Sequence, residues 1–169
     1  NIWDNGANDQ VDGLTSEGFG FFGTACDAGP GNVCSLIAED FILDRGATLT
    51  ETRVCMFAQA PDAELWLYAD AGGTPAAPTS PLFGETGPGQ HANGIFQDGF
   101  VDNTSRCAGA FGFPGREFFY SSFNPTLQPD TYWLAVAGMV PDILNARTFW
   151  ATSTSSSKPN PAGEGQTGR

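Results

Sequence analysis

Charge is scarce in this chain, and positive charge is scarcest. Seven Lys and Arg face 19 Asp and Glu across 169 residues, a net charge of −12. A surface of that sign repels phosphate backbones and argues against nucleic acid as a partner. It also lacks the Lys/Arg cluster that holds a protein on an anionic bilayer. His91 is the one histidine, and the four cysteines include no C-x-x-C pair, so the close Cys/His spacing of a zinc site is missing. No apolar run approaches the ~20 residues that a membrane span needs. Amphipathic helical periodicity is nearly absent. The chain has no G-x-S-x-G, and His91 lies in a Gly-rich loop (GQHANG) with no nucleophile or orienting acid beside it in sequence. No pair of carboxylates announces itself as a glycosidase couple, although that separation is a three-dimensional fact. The expectation is a protein that is not an enzyme and requires no cofactor.

What is present is apolar and aromatic. Forty per cent of the residues are hydrophobic, with 14 Phe and 4 Trp, and 22 Gly and 12 Pro punctuate them. A chain of this length fits one domain and buries about 70% of its unfolded surface. Short apolar runs bounded by Gly, Pro, Asn and Asp predict strands over residues 35–43, 48–58, 64–69, 94–100, 117–123, 131–137 and 148–153, and residues 1–3 could add another. The segment 127–137 (LQPDTYWLAVA) is the clearest, a turn at Pro129–Asp130 feeding a β-branched and aromatic run. Residues 70–81 (DAGGTPAAPTSP) are too rich in Gly and Pro for a central strand and read as a surface loop, as do residues 84–93. Seven or eight short strands with such turns describe an all-β, antiparallel β-sandwich, with a jelly roll the expected form. It occupies residues 1–152, and 153–169 form a Ser/Pro/Gly tail with nothing to bury.

Cys26, Cys34, Cys55 and Cys107 make an even count, read as two disulfides. Of three connectivities, Cys26 with Cys34 and Cys55 with Cys107 is favoured: the first staples a Gly-Pro-Gly loop, the second ties two strands or a strand to a loop. Disulfides imply an oxidising compartment, so an extracellular or cell-surface protein is expected, any leader having already been removed.

Asp4, Asn8, Asp9 and Asp12 crowd oxygen ligands into a short stretch, and Asn8-x-Gln10-x-Asp12-Gly13 partly matches a calcium loop. The leading Asp and the closing bidentate Glu are missing. A structural calcium is one reading; Asn and Asp capping their own backbone is the other. Glu39 and Asp40 could add ligands, but a strand's solvent edge is their expected place. Residues 18–23 (GFGFFG) spell G-x-G-x-x-G without the strand, helix and βαβ unit that a dinucleotide loop requires, so a loop or edge strand is expected. Trp3, Trp66, Trp133 and Trp150, with Tyr68, Tyr120 and Tyr132, could stack sugars on a sandwich face; Trp66 and Trp133 sit in apolar contexts and are expected in the core. Asn103-Thr104-Ser105 is an N-glycosylation sequon, and residues 152–157 are an O-glycosylation-like run.

WDNG at residues 3–6, AEDF at 38–41, LWLYAD at 65–70 with GGTP at 72–75, and LQPDTYWLAV at 127–136 follow one another in a familiar order. The chain resembles a group of secreted bacterial β-sandwich domains patterned DNG, (A)DDF, Tyr-x-Asp with GG-x-P, and a late YWL strand. Glu39 replaces the first Asp of the acidic pair, and Asp130 stands where the turn Gly is usual. The resemblance implies an exported, jelly-roll-like fold of cell surfaces or extracellular matrix with no established catalytic residues, so it supplies no site residues.

The functional expectation is a secreted structural protein that self-assembles into a filament or matrix, its partner being another copy of itself. Sandwich edges accept an extended segment from a neighbour, and head-to-tail exchange propagates. Asn1, Ile2 and Trp3 are the expected strand donor, since Pro159 and Pro161 cannot complete a ladder; Lys158, Pro159 and Pro161 would lie as a strap on the next subunit. The alternative is a carbohydrate-binding module taking an extracellular polysaccharide.

Overall fold

The computed structural model describes residues 13–15, 17–19, 37–58, 60–76, 81–83, 94–140 and 148–151. These contain strands β1 (Gly13–Thr15), β2 (Glu17–Phe19), β3 (Ala38–Leu43), β4 (Ala47–Thr48), β5 (Thr52–Ala58), β6 (Asp62–Ala69), β7 (Ile95–Phe96), β8 (Gly99–Asp102), β9 (Gly115–Tyr120), β10 (Thr126–Leu127), β11 (Asp130–Val140) and β12 (Thr148–Ala151). No helix occurs among the described residues. One sheet has the order β1-β12-β5-β9-β8; the second has β2-β11-β6-β7, with β3 also paired to β11; β4 and β10 form a small ribbon. Pairing is antiparallel except between β2 and β11. The two sheets pack face to face as a β-sandwich.

Pleat alternation sorts the side chains. Val54, Met56 and Ala58 of β5 and Phe118 and Tyr120 of β9 meet Leu65 and Leu67 of β6 and Tyr132, Leu134 and Val136 of β11, and Phe41 and Leu43 of β3 complete this core. The other side of β6 and β11 is buried as well: Trp66, Tyr68 and Trp133 cluster with Ala38, Ala135 and Ala137. Ala135 lies opposite both Trp66 and Ala38 in register, so small residues make room for the indoles. Strands covered on both faces have no polar side to display, which is why LWLY and YWLAVA read as continuous apolar runs.

The predicted strands are present with shifted ends. The run over 48–58 is divided between β4 and β5, because Leu49 N–H turns to the Pro125 carbonyl. The run over 94–100 is divided at Gln97–Asp98, where the chain changes sheets. Gln97 N–H bonds the Ala63 carbonyl of one sheet, and Asp98 N–H bonds the Phe119 carbonyl of the other. The predicted 117–123 strand ends at Tyr120, because the peptide N–H groups of Ser121 and Ser122 both donate to the Asp98 carboxylate. Residues 70–76 form an exposed turn, as expected for that loop.

Candidate functional site

Three of the four motifs converge on β11. Its register places Tyr132 opposite Phe41, and Trp133 opposite both Asp40 and Tyr68. The rings of Phe41 and Tyr132 stack with centroids 5.7 Å apart. AEDF, LWLYAD and TYWLAV are therefore three neighbouring strands with β11 in the middle. WDNG lies outside the described residues.

Asp70 closes this cluster at the end of β6. Its carboxylate accepts N–H bonds from Gly72 at 3.0 Å and Gly73 at 3.1 Å, and the Trp133 indole N–H at 2.9 Å. Gly72 and Gly73 both take positive φ, 79° and 89°, which glycine alone adopts without strain. The Trp133 bond, followed by the glycine N–H bonds, holds the Asp70 carboxyl below the usual carboxylate range. With three donors aimed at it, this carboxylate serves the fold.

Glu39 and Asp40 are buried, not at a solvent edge. The expectation fails because both sides of the β3 pleat are covered as far as Asp40, with Ile42 beyond it exposed: Glu39 shares the core-facing side with Phe41 and Leu43, and Asp40 lies opposite Trp133. Glu64 is buried on the Trp66 side of β6 and accepts the Gly94 N–H at 2.7 Å. Burial pushes its carboxyl up, and the Gly94 bond partly offsets this. Gly94 lies so close that a Cβ there would fall 2.6 Å from Glu64 Cβ and 2.8 Å from the Trp66 ring. The Tyr68 hydroxyl is buried with no hydrogen-bond partner among the described residues, and burial pushes it up to about 12.

On the outer face of the first sheet, the loop between β8 and β9 folds back over β5 and β9. Cys55 and Cys107 form a disulfide that anchors it. Thr104 Oγ1 donates to buried Glu117 at 2.9 Å. Gly115 admits no side chain, since a Cβ would meet the Cys107 carbonyl at 2.2 Å. A turn whose ends bridge at Ala110 and Phe113 forms the tip, with Phe111 at φ 57° and Gly112 at φ 81°. Phe111 is 63% exposed and meets Phe57 edge to face.

Among the described residues, the margins of the two sheets carry exposed apolar side chains. β8 ends the first sheet, exposing 40% of Phe100 and 47% of Val101. Phe96 on β7 and Ile42 on β3 are exposed at margins of the second sheet. Beside β8, Arg116 holds Asp102 in a two-pronged pair, Nε to Oδ1 at 2.7 Å and Nη2 to Oδ2 at 3.0 Å. Its guanidinium also lies 4.0 Å from the centre of the Phe100 ring and donates through Nη1 to the Ala60 carbonyl. Arg53 pairs with Glu51 and lies over Phe119.

Cys55 and Cys107 are joined as expected, and Asn103 is exposed at the end of β8. Gly18 and Phe19 of the Gly-rich run belong to strand β2, in line with the edge-strand reading, and the rest of the run lies outside the described residues. Trp66, Trp133, Tyr68, Tyr120 and Tyr132 are all buried. Asp4, Asn8, Asp9 and Asp12 (the calcium candidates), Asn1, Ile2, Trp3, Lys158, Pro159 and Pro161 (the assembly candidates), Cys26, Cys34 and His91 lie outside the described residues. Among the described residues, no group of three or more His, Cys, Asp or Glu is placed to hold a metal ion, and no helix is long and apolar enough to cross a membrane. Sequence reasoning missed Phe100, Val101, Asp102 and Arg116 as a unit. Its members are joined across a hairpin, so their spacing carries no signal. No family model, curated protein or solved structure matches the chain.

Proposed function

We propose that this chain is a non-enzymatic, secreted structural subunit that associates with copies of itself in an extracellular filament or matrix. The observation that carries the reading is the set of sheet margins. Ile42, Phe96, Phe100 and Val101 present large apolar surface next to strand edges, where natural sandwiches ordinarily place charge or cover. Self-association hides such surface and satisfies the outward backbone groups together. The carboxylates support a structural role, since Asp70, Asp98, Asp102, Glu64 and Glu117 each accept hydrogen bonds that hold the fold. The resemblance to exported surface domains points the same way and carries the jelly-roll form and the extracellular location with it. A glycan on Asn103 would stand in solvent at the end of β8.

Negative-stain electron microscopy of the native material tests the reading, with and without residues 154–169 or 1–5. Fibres that disappear on either truncation support assembly and name the connecting segment. Monodisperse single-chain particles in every form, 17.8 kDa for the full chain, would sink it. That result would put the carbohydrate-binding alternative first, without the buried Trp66, Trp133 and Tyr68 as its platform.

A further inference from the structure

The margin of β8 is built to receive one particular partner strand. Ala58 N–H bonds the Pro114 carbonyl, and Asn103 N–H bonds the Gly115 carbonyl. An antiparallel ladder alternates, so on β9 the residues Gly115, Glu117 and Phe119 face β8, while Arg116, Phe118 and Tyr120 face β5. Val101 therefore pairs its backbone with Glu117. The N–H and C=O groups of Phe100 and Asp102 point away from the sheet.

Charge narrows the choice of occupant. The molecule carries −12, so two copies repel over most of their surfaces. β8 is an exception: its one carboxylate, Asp102, is matched by the two-pronged guanidinium of Arg116, which also covers one side of Phe100. Neutralised charge beside exposed Phe100 and Val101 lets a second copy approach this edge at low electrostatic cost.

We propose that β8 pairs antiparallel with β8 of a second copy about a two-fold axis at Val101, joining two five-stranded sheets into one. Three two-fold registers bring the outward backbone groups together. Phe100 on Phe100 sets each Asp102 against the other copy's Asp98, acid on acid. Asp102 on Asp102 does so at the axis itself. Phe100 on Asp102 avoids both, and it seats each aromatic ring beside the opposite Asp102–Arg116 pair. Val101 then meets Val101 in a position without ladder hydrogen bonds, where side chains approach most closely. The contact is isologous and closes as a dimer. It deepens the self-association reading by naming one surface, and it is independent of exchange through the chain ends.

Sedimentation velocity and oxidative cross-linking of the full chain test it. The unaltered chain is expected to sediment as a concentration-dependent dimer of 17.8 kDa subunits. Val101→Lys, which sets two ammonium groups at the axis, is expected to weaken dimerisation at least tenfold, while Val101→Thr retains it. Val101→Cys is expected to give a disulfide-linked dimer under mild oxidation, and Phe100→Cys and Asp102→Cys little. A monomer at all concentrations, or cross-linking equal at the three positions, overturns the proposal. The cross-link keeps the test decisive if the lysine variant fails to fold. Fibres from Val101→Lys with the cross-link absent would overturn this contact and leave the filament reading standing; a specific cross-link with no fibres would do the reverse.

Discussion

The indole N–H of Trp133 donates to Oδ1 of Asp70 at 2.9 Å, across 63 residues of sequence. One residue comes from the late YWL strand, the other from the Asp that opens the Gly-Gly turn, so the bond makes two sequence motifs one structural unit. Removing Asp70 leaves a half-buried indole N–H and two turn N–H groups without their acceptor. Asp70→Ala is expected to lower the urea unfolding midpoint, because an unmade bond costs more than a made one contributes. Asp70→Asn keeps an acceptor and should cost less. Equal stability for the alanine variant and the unaltered chain would show that the bond is incidental.

Gly94 is held against Glu64 and Trp66 with no space for a methyl group. Gly94→Ala must displace the backbone of β6 or the indole, and overpacking of that kind costs about 1–3 kcal/mol. Thermal unfolding checks the loss, and tryptophan emission should shift as Trp66 moves. Gly99→Ala, where nothing lies within 4 Å of the added atom, is the control and should be near neutral in packing.

Two carboxylates act in opposite directions with pH. Glu64 has its value raised by burial, so its contribution to stability is fully present below the ordinary 4.5 and is lost as pH rises through the raised value. Asp98 is lowered to about 2, first by the hydroxyl of Ser122, then by its N–H and the two donors of Ser121. Its contribution is present above the ordinary 3.8 and is lost as pH falls toward 2. Glu64→Gln should remove the first dependence, seen as a flatter stability curve from neutral pH into mild acid. The Asp98 carboxyl carbon should titrate near 2 by NMR, and Ser121→Ala with Ser122→Ala should bring it back toward 3.8.

The disulfide between Cys55 and Cys107 closes a loop with a sequence separation of 52. The chain-entropy argument assigns such a closure about 4 kcal/mol. The double serine variant is expected to lose about 2–4 kcal/mol and to unfold in a single transition at a lower denaturant midpoint. A loss under 1 kcal/mol would mean that Thr104, Glu117 and Gly115 hold the β8–β9 loop without it.

Phe111 adopts a left-handed backbone that costs a bulky residue about 1–2 kcal/mol. Phe111→Asn relieves that strain but gives up the contact with Phe57. It is expected to be neutral or slightly stabilising in thermal unfolding. A clear destabilisation would instead assign the ring a packing role on the outer face.

Composition and periodicity by themselves determined the class of fold. The absence of helical periodicity and the Gly- and Pro-bounded apolar runs led to a sandwich, because strand propensity and turn chemistry are read from neighbours close in sequence; the Cys55–Cys107 pairing was the favoured one of three, and the structure decided it. The burial of Trp66 and Trp133 was legible too, since apolar runs around both indoles mark strands covered on two faces. Tertiary structure decided what the acids do. Glu39 and Asp40 look like edge residues in a linear reading, yet β11 and its neighbours enclose them; Glu64 is buried because Gly94 reaches across from a distant loop. It also decided where the sheets end. That Arg116 neutralises Asp102 beside Phe100 and Val101 depends on a hairpin register, a relation between strands that no stretch of sequence contains.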